Sequence, residues 1–317
     1  MKMIDGISIV IPIFDEVDVL KRQLKLLIEQ TKKPNEIVIV SASPIEPIEE
    51  LIDKFNLKDN YSEYKIIYNK NGLPGGNRNA GITSASHNWI ALIDAAIYPE
   101  PDWIESLVNC VEENNALGVF GICKFNGNSI FEKAVCALSY GCNSILPVLP
   151  ASLFHRSVFD KIGYFDDTLR SGEDILWIRK FIGFFGDRLI CNDALVHYLH
   201  HPKTLISIFK KWFIYEKNAV VIGVNKIQQL LLLVLFLIIS IVSIISFIWG
   251  LSALTAYIIL RGFIDPMRRS RSFFWYKDKP SAVLIALGIC AVIDFSKLSG
   301  FIVGFFQKMI NYRSYSK

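Results

Sequence analysis

The sequence predicts an α/β domain on a mainly parallel sheet, followed by a helical membrane region. Short, almost continuous apolar runs alternate with helical patterns in the first two thirds of the chain, as in a sheet covered on both faces. Beyond about Val220 the chain turns into long uncharged stretches. The 317 residues leave room for one domain of ordinary size plus an accessory part. The 52% of apolar residues and the mean hydropathy of +0.35 come largely from that C-terminal part.

The elements follow in order. "ISIVIPIF" (7–14) has the composition of a strand buried on both faces, and "VDVLKRQLKLLIEQ" (17–30) spaces Leu20, Leu24, Leu27 and Ile28 helically. "NEIVIVSAS", "YKIIYN", "NWIALIDAA" and "LGVFGICKF" predict four more strands, with "PDWIESLVNCVEEN" a helix between the last two. In such sheets ligands bind at the carboxyl ends of the strands. That rim would carry Phe14-Asp15-Glu16, Ser41-Ala42-Ser43, residues 69–79 and Asp94. "GEDILWIRKFIGFFG" reads as a helix opening on Glu173 and Asp174, where capping alone accounts for one of the two acids. "LISIFKKWFIYEKNAVVIG" mixes lysines with aromatic rings, a composition suited to a helix at a membrane surface.

The run 227–260 is longer than the ~20 residues one span needs, and 281–306 suffices for one. A hairpin turning near Trp249-Gly250 would return the basic loop 265–280 (Arg268, Arg269, Arg271, Lys277, Lys279) to the cytoplasm, as the positive-inside bias requires. Asp294 and Lys297 inside the last run demand partners or a protein-facing position. Gly300 and Gly304 form a GxxxG that permits close helix contact or stand at chance spacing. No leader is evident, so the first part is expected to stay in the cytoplasm. The six cysteines show neither CxxC nor metal spacing and fit reduced, buried thiols. The net charge of +4 is modest, and no nucleic-acid partner is expected. The expected organisation is a domain over 1–205, an interface helix over 206–226 and membrane helices over 227–317.

Four segments in order then carry a resemblance. "SIVIPIFDEVDVLKRQLKLLIEQTKKPNEIVIVSAS", "GLPGGNRNAGITSASHNWIALIDAAIYPEPDWIESL", "LFHRSVFDKIGYFDDTLRSGEDILWIRKF" and "ICNDALVHYLHHP" together resemble the family 2 glycosyltransferases, membrane-associated enzymes of GT-A fold that use nucleotide sugars. The resemblance implies inverting transfer to a lipid-linked or growing glycan, with Asp174 as base and Glu173 orienting or capping. It places Pro12, Phe14, Asp15, Glu16, Ser41, Arg78 and Asp94 around the donor, Arg78 facing the diphosphate. Arg156, Lys211 and Trp212 would lie on the acceptor side, although the last two equally fit a membrane surface. His197 matches a histidine that reaches metal or phosphate, and equally fits a structural role. Asp94 would hold Mg²⁺ or Mn²⁺, but Ala96 replaces the second acid of Asp-x-Asp, which weakens divalent binding. That loss, and Ser41 where many relatives carry an acid, also admit a non-catalytic scaffold or regulator with a degenerate donor site.

Overall fold

The computed structural model describes residues 4–14, 17–54, 63–70, 72–224, 226–271 and 280–315. The chain forms two compact units, Met1–Lys124 with Ile145–Tyr198, and Phe125–Ser144 with Leu199–Lys317. A single boundary at residue 205 therefore does not separate them, because Phe125–Ser144 leaves the first unit and belongs to the second.

In the first unit β1 (Ile7–Ile13), β2 (Glu36–Ser41), β3 (Glu63–Tyr68) and β4 (Trp89–Ile93) run parallel in the order β3-β2-β1-β4. Every residue of β2 and β4 is buried, so alternation is absent and the strands read as continuous apolar runs. Helices α1 (Val17–Ile28), α2 (Glu46–Lys54), α3 (Pro74–Ser84) and α4 (Trp103–Asn114) connect or follow these strands. Leu20, Gln23, Leu24 and Leu27 are the buried stripe of α1, three of them the leucines expected from the spacing.

Beyond β4 the sheet becomes mixed. β8 (Ala151–His155) is antiparallel to β4, and β6 (Gly118–Phe125) is antiparallel to β8. The short β7 (Ile145–Pro147) pairs with β6, and β9 (Ile190–Tyr198) pairs antiparallel with β5 (Ile97–Pro99). The parallel order expected for most of the sheet thus holds for its first four strands, and the later pairings are antiparallel. Over this half lies an aromatic core of Phe120, Phe154, Phe159, Phe165, Trp177 and Phe181. Phe154 meets Trp177 edge-on at 5.1 Å, and Phe165 stacks on Trp177 at 5.1 Å. Such pairs add ~0.5–1.5 kcal/mol each beyond the area they bury. Helix α7 (Glu173–Phe185) delivers two of these rings, and α6 (Arg156–Ile162) supplies Phe159. The core consequently fixes where α7 begins, and with it Glu173 and Asp174.

The second unit holds α5 (Ile130–Ser139), α8 (Leu205–Ile222), α9 (Lys226–Ile245), α10 (Phe247–Ile259), a π-helical turn (Leu260–Ile264), α11 (Asp265–Arg269) and α12 (Ser281–Tyr315). Helices over Ile227–Ile245, Phe247–Arg269 and Ser281–Ile310 are long and apolar enough to cross a membrane. The chain breaks between α9 and α10 at Ser246, whose backbone is extended, a few residues before the expected Trp249-Gly250 turn. Gly250 lies inside α10 instead, where a Cβ would strike Ser243 of α9. Asp294 is paired as its position demanded. It accepts from Arg261 Nε (2.8 Å) and Nη2 (3.0 Å) and from the Tyr257 hydroxyl (2.9 Å). Gly300 and Gly304 both face α8, where a Cβ would meet the backbone of Phe213 and Lys217. The GxxxG is therefore a close helix crossing. Lys277 and Lys279 of the basic loop lie outside the described residues.

Candidate active site

The carboxyl ends of the four parallel strands form one rim, bearing Phe14, Ser41, Asn69 and Asp94. Pro12 sits past the β1–β4 pairing, near the strand's end, where its missing N–H breaks no ladder bond on that side. Phe14 is half exposed, with the Arg170 guanidinium 4.9 Å from its ring centre. Ser41 is buried and closes a local turn, donating to the Ser43 carbonyl (2.7 Å). Asn69 donates to the Asn77 side chain (2.9 Å), tying the rim to α3. Asp15 and Glu16 lie outside the described residues.

Arg78, buried on α3, joins two of the expected site acids. Its Nη1 donates to Glu173 Oε1 (2.5 Å), and its Nη2 to both oxygens of Asp94 (2.8 and 3.1 Å). Phe165 flanks the guanidinium at 5.6 Å. Burial works against the Arg78 charge, but Asp94, Glu173 and Asp174 outweigh it and hold its pKa above the usual value. Burial pushes the Glu173 carboxyl up, more than Arg78 pulls it down. The arginine expected to face a diphosphate is in this state bound to two carboxylates. Asp174, one residue on, is half-buried; its Oδ1 accepts from the Ile175 N–H (2.8 Å). The Glu-Asp pair thus splits, with Glu173 turned inward to Arg78 and Asp174 at the outer side of the helix start.

Two side chains outside the expected set of site residues hold this arrangement. Asn79, next to Arg78, donates to the Phe165 carbonyl (2.9 Å) and accepts from the Phe165 N–H (3.0 Å). Gln23, fully buried on α1, donates to the carbonyls of Asp94 (2.7 Å) and Ile97 (2.8 Å) and pins the Asp94-Ala95-Ala96-Ile97 turn. Gly75 allows the 163–172 loop to close on α3, since a Cβ there would strike the Asp166 carbonyl. Only the i, i+3 spacing of Gln23 within the leucine stripe of α1 hinted at its burial.

Other expected site residues fall elsewhere. Arg156 donates to the carbonyls of Ile82 (2.8 Å), Ala85 (2.5 Å) and His87 (3.1 Å), closing the C-terminal end of α3. That lies about 10 Å along the helix axis from Arg78, so Arg156 caps the helix and stands apart from the Arg78 cluster. Lys211 and Trp212 are on α8 in the second unit. Trp212 belongs to a buried i, i+4 stripe with Ile208, Glu216 and Val220.

His197 of β9 is bonded through Nε2 to Glu100 Oε1 (2.5 Å). Asp94 has both oxygens engaged by Arg78, Ala96 offers no ligand, and no group of three or more His, Cys, Asp or Glu placed to hold a metal exists among the described residues. Asp94 and His197 are thus each bonded to another side chain and are not gathered into a cluster that would hold a divalent cation by itself.

Compared with known proteins, residues 8–166 match the model of glycosyl transferase family 2. The chain belongs to this family. An uncharacterized glycosyltransferase of Rickettsia bellii is 26% identical over 189 residues, 54% of this chain and 26% of that protein. Chondroitin synthase of Escherichia coli is 28% identical over 39% of this chain and 18% of its own length. An uncharacterized glycosyltransferase of Methanocaldococcus jannaschii is 25% identical over 66% and 76%. The first of these relatives is thus matched over about a quarter of its length. S. aureus TarS, a solved structure, is 14% identical over 66% of this chain and 38% of its own, with a TM-score of 0.46. The family domain comprises the parallel half of the sheet, Arg78 and Asp94, and stops short of Glu173 and Asp174.

Proposed function

We propose that this family 2 member is an inverting glycosyltransferase of the cytoplasmic membrane face. It takes a sugar from a nucleotide-diphosphate donor to a hydroxyl of a lipid-linked or growing glycan. The observation that carries the reading is the split Glu-Asp pair. Glu173 is bonded to buried Arg78, while Asp174 keeps one carboxylate oxygen without a hydrogen-bond partner among the described residues.

In this reading Asp174 accepts the proton of the acceptor hydroxyl as its oxygen attacks the anomeric carbon. The sugar–phosphate bond breaks on the opposite face, the electron pair leaves with the nucleoside diphosphate, and the configuration inverts. The leaving diphosphate needs positive partners, and Arg78 beside the rim can supply one. Donor binding would exchange part of the Arg78–Asp94 contact for phosphate oxygens, freeing Asp94 for the ribose. Three apolar helices, with the basic residues Arg268 and Arg269 at the end of the second and Arg271 just beyond it, support a membrane-held enzyme with its domain on the positive-inside face.

Asp174→Asn should abolish sugar transfer in membranes while leaving insertion and donor binding intact. An active variant would refute the base assignment. Donor binding by calorimetry separates the enzyme from the scaffold reading, since a scaffold with a degenerate site binds no nucleotide sugar.

A further inference from the structure

Within the second unit the α9–α10 hairpin and α12 line an open cavity of ≈ 640 Å³. Its walls change character along its length. Toward the Ser246 turn they are Leu235, Ile238 and Ile239 of α9 with Ala253 and Ala256 of α10. At the other end they are Gln228, Gln229, Arg261, Asp265, Arg269 and, from α12, Lys297. From Gln228 to Ile239 the helix rises about 16 Å. That is roughly half of a ~30 Å hydrocarbon core, the depth of one leaflet.

The polar end is incompletely paired. Arg261 is bonded to Asp294 and Asp265, and Arg269 to Asp265. Lys297 forms no ion pair among the described residues; its ammonium stands 5.0 Å from the Trp212 ring centre. Glu216 influences it from α8 without reaching ion-pair distance. The three cations of the lining outnumber its two carboxylates, Asp265 and Asp294. Gln229, 5% exposed, lines the same end with an amide oxygen that has no hydrogen-bond donor among the described residues. A cation that Asp294 and Glu216 influence without forming an ion pair, and an acceptor without a donor, at the head of an apolar cleft, define the group that fits. It carries an anionic oxygen, a hydroxyl and a hydrocarbon chain.

We propose that this cavity is a binding site for an anionic glycerophospholipid with a hydroxylated headgroup. The phosphate meets Lys297, the headgroup hydroxyl donates to Gln229, and one acyl chain lies between α9 and α10. The site is independent of the sugar-transfer reading, because every lining residue belongs to the second unit.

The test uses the full chain in detergent, exchanged into phosphatidylglycerol or phosphatidylcholine micelles and examined by native mass spectrometry. One phosphatidylglycerol per protein should survive delipidation, and phosphatidylcholine should not displace it. Lys297→Gln should weaken retention by about tenfold or more, the effect of one charge-assisted contact. Ala256→Phe, which fills the apolar end and leaves the polar cluster untouched, should do the same with helicity unchanged. Equal retention in both variants, or equal competition by phosphatidylcholine, would overturn the proposal. Displacement by polyprenyl phosphate with no binding of phosphatidylglycerol would overturn the choice of lipid.

Discussion

Replacing Arg78 with Met should leave Glu173 as a carboxylate buried without a counter-charge. The side chains of Arg78 and Glu173 are 6% and 5% exposed, so solvent screens this pair little. Removing one partner of such a pair costs about 3–5 kcal/mol. The Asp94 half of the contact, with a side chain 36% exposed, adds at most ~1 kcal/mol. At ~2–4 °C per kcal/mol for a unit of this size, the melting temperature of the first unit should fall by about 6–24 °C. The loss should depend on pH in a definite sense. A carboxyl whose pKa is raised on folding binds more protons folded than unfolded. Its stability contribution is therefore lost as pH rises above the ordinary value of 4.5. Without Arg78 the Glu173 pKa rises further, so the variant should approach wild-type stability near about pH 5 and differ most near about pH 8. Adding Glu173→Gln should restore about 2 kcal/mol. Thermal unfolding followed by the fluorescence of buried Trp89, Trp103 and Trp177 provides the assay. Equal destabilisation at both pH values, or no rescue by Glu173→Gln, would refute the pairing argument.

Gln23→Leu should release the Asp94–Ile97 turn and weaken donor binding about tenfold, measured by calorimetry, with a stability loss of ~1–2 kcal/mol. Arg156→Met should cost ~1–2 kcal/mol in thermal unfolding by uncapping α3, yet leave donor affinity unchanged if it is a cap alone. Gly300→Leu should force α12 away from α8 and lower the melting temperature of the second unit, read by circular dichroism in detergent. Glu216, pushed up to about 7 by burial against the opposing effects of Lys297 and Gln229, should cost the second unit stability as pH rises from 4.5 to about 7. The slope is at most ~1.4 kcal/mol per pH unit, and Glu216→Gln should flatten it.

What could be read in advance followed the range of the interaction. β1, β2 and β4 were legible because a strand buried on both faces must be apolar throughout. α1 was legible because its leucines repeat with the helical period. Arg78, Asp94 and Glu173 were each legible as site residues, but not that they join, since 95 residues separate Arg78 from Glu173. The same limit explains Arg156. A guanidinium at the end of a strand looks free until α3 places three carbonyls before it. The antiparallel turn of the sheet after β4 was hidden because β8 is five residues long and buried throughout, which leaves no period to mark its direction. Lys211 and Trp212 suited the membrane surface by composition, while the i, i+4 stripe of Ile208, Trp212, Glu216 and Val220 places one face of α8 inside protein.

Residues Phe125–Ser144 have a consequence for how the protein is made. Helix α5 is synthesised well before the segments it packs against. Its Leu138 and Ser139 carbonyls accept from Arg261 and Arg269, and the Cys142 N–H donates to the Ser270 hydroxyl. Until the ribosome has produced α11 and α12, the apolar face bearing Ala134, Val135, Ala137 and Leu138 lacks the helices that pack on it. A truncated soluble version ending near residue 204 would keep that condition permanently. Removing the tail from this enzyme does not liberate a domain; it exposes a seam.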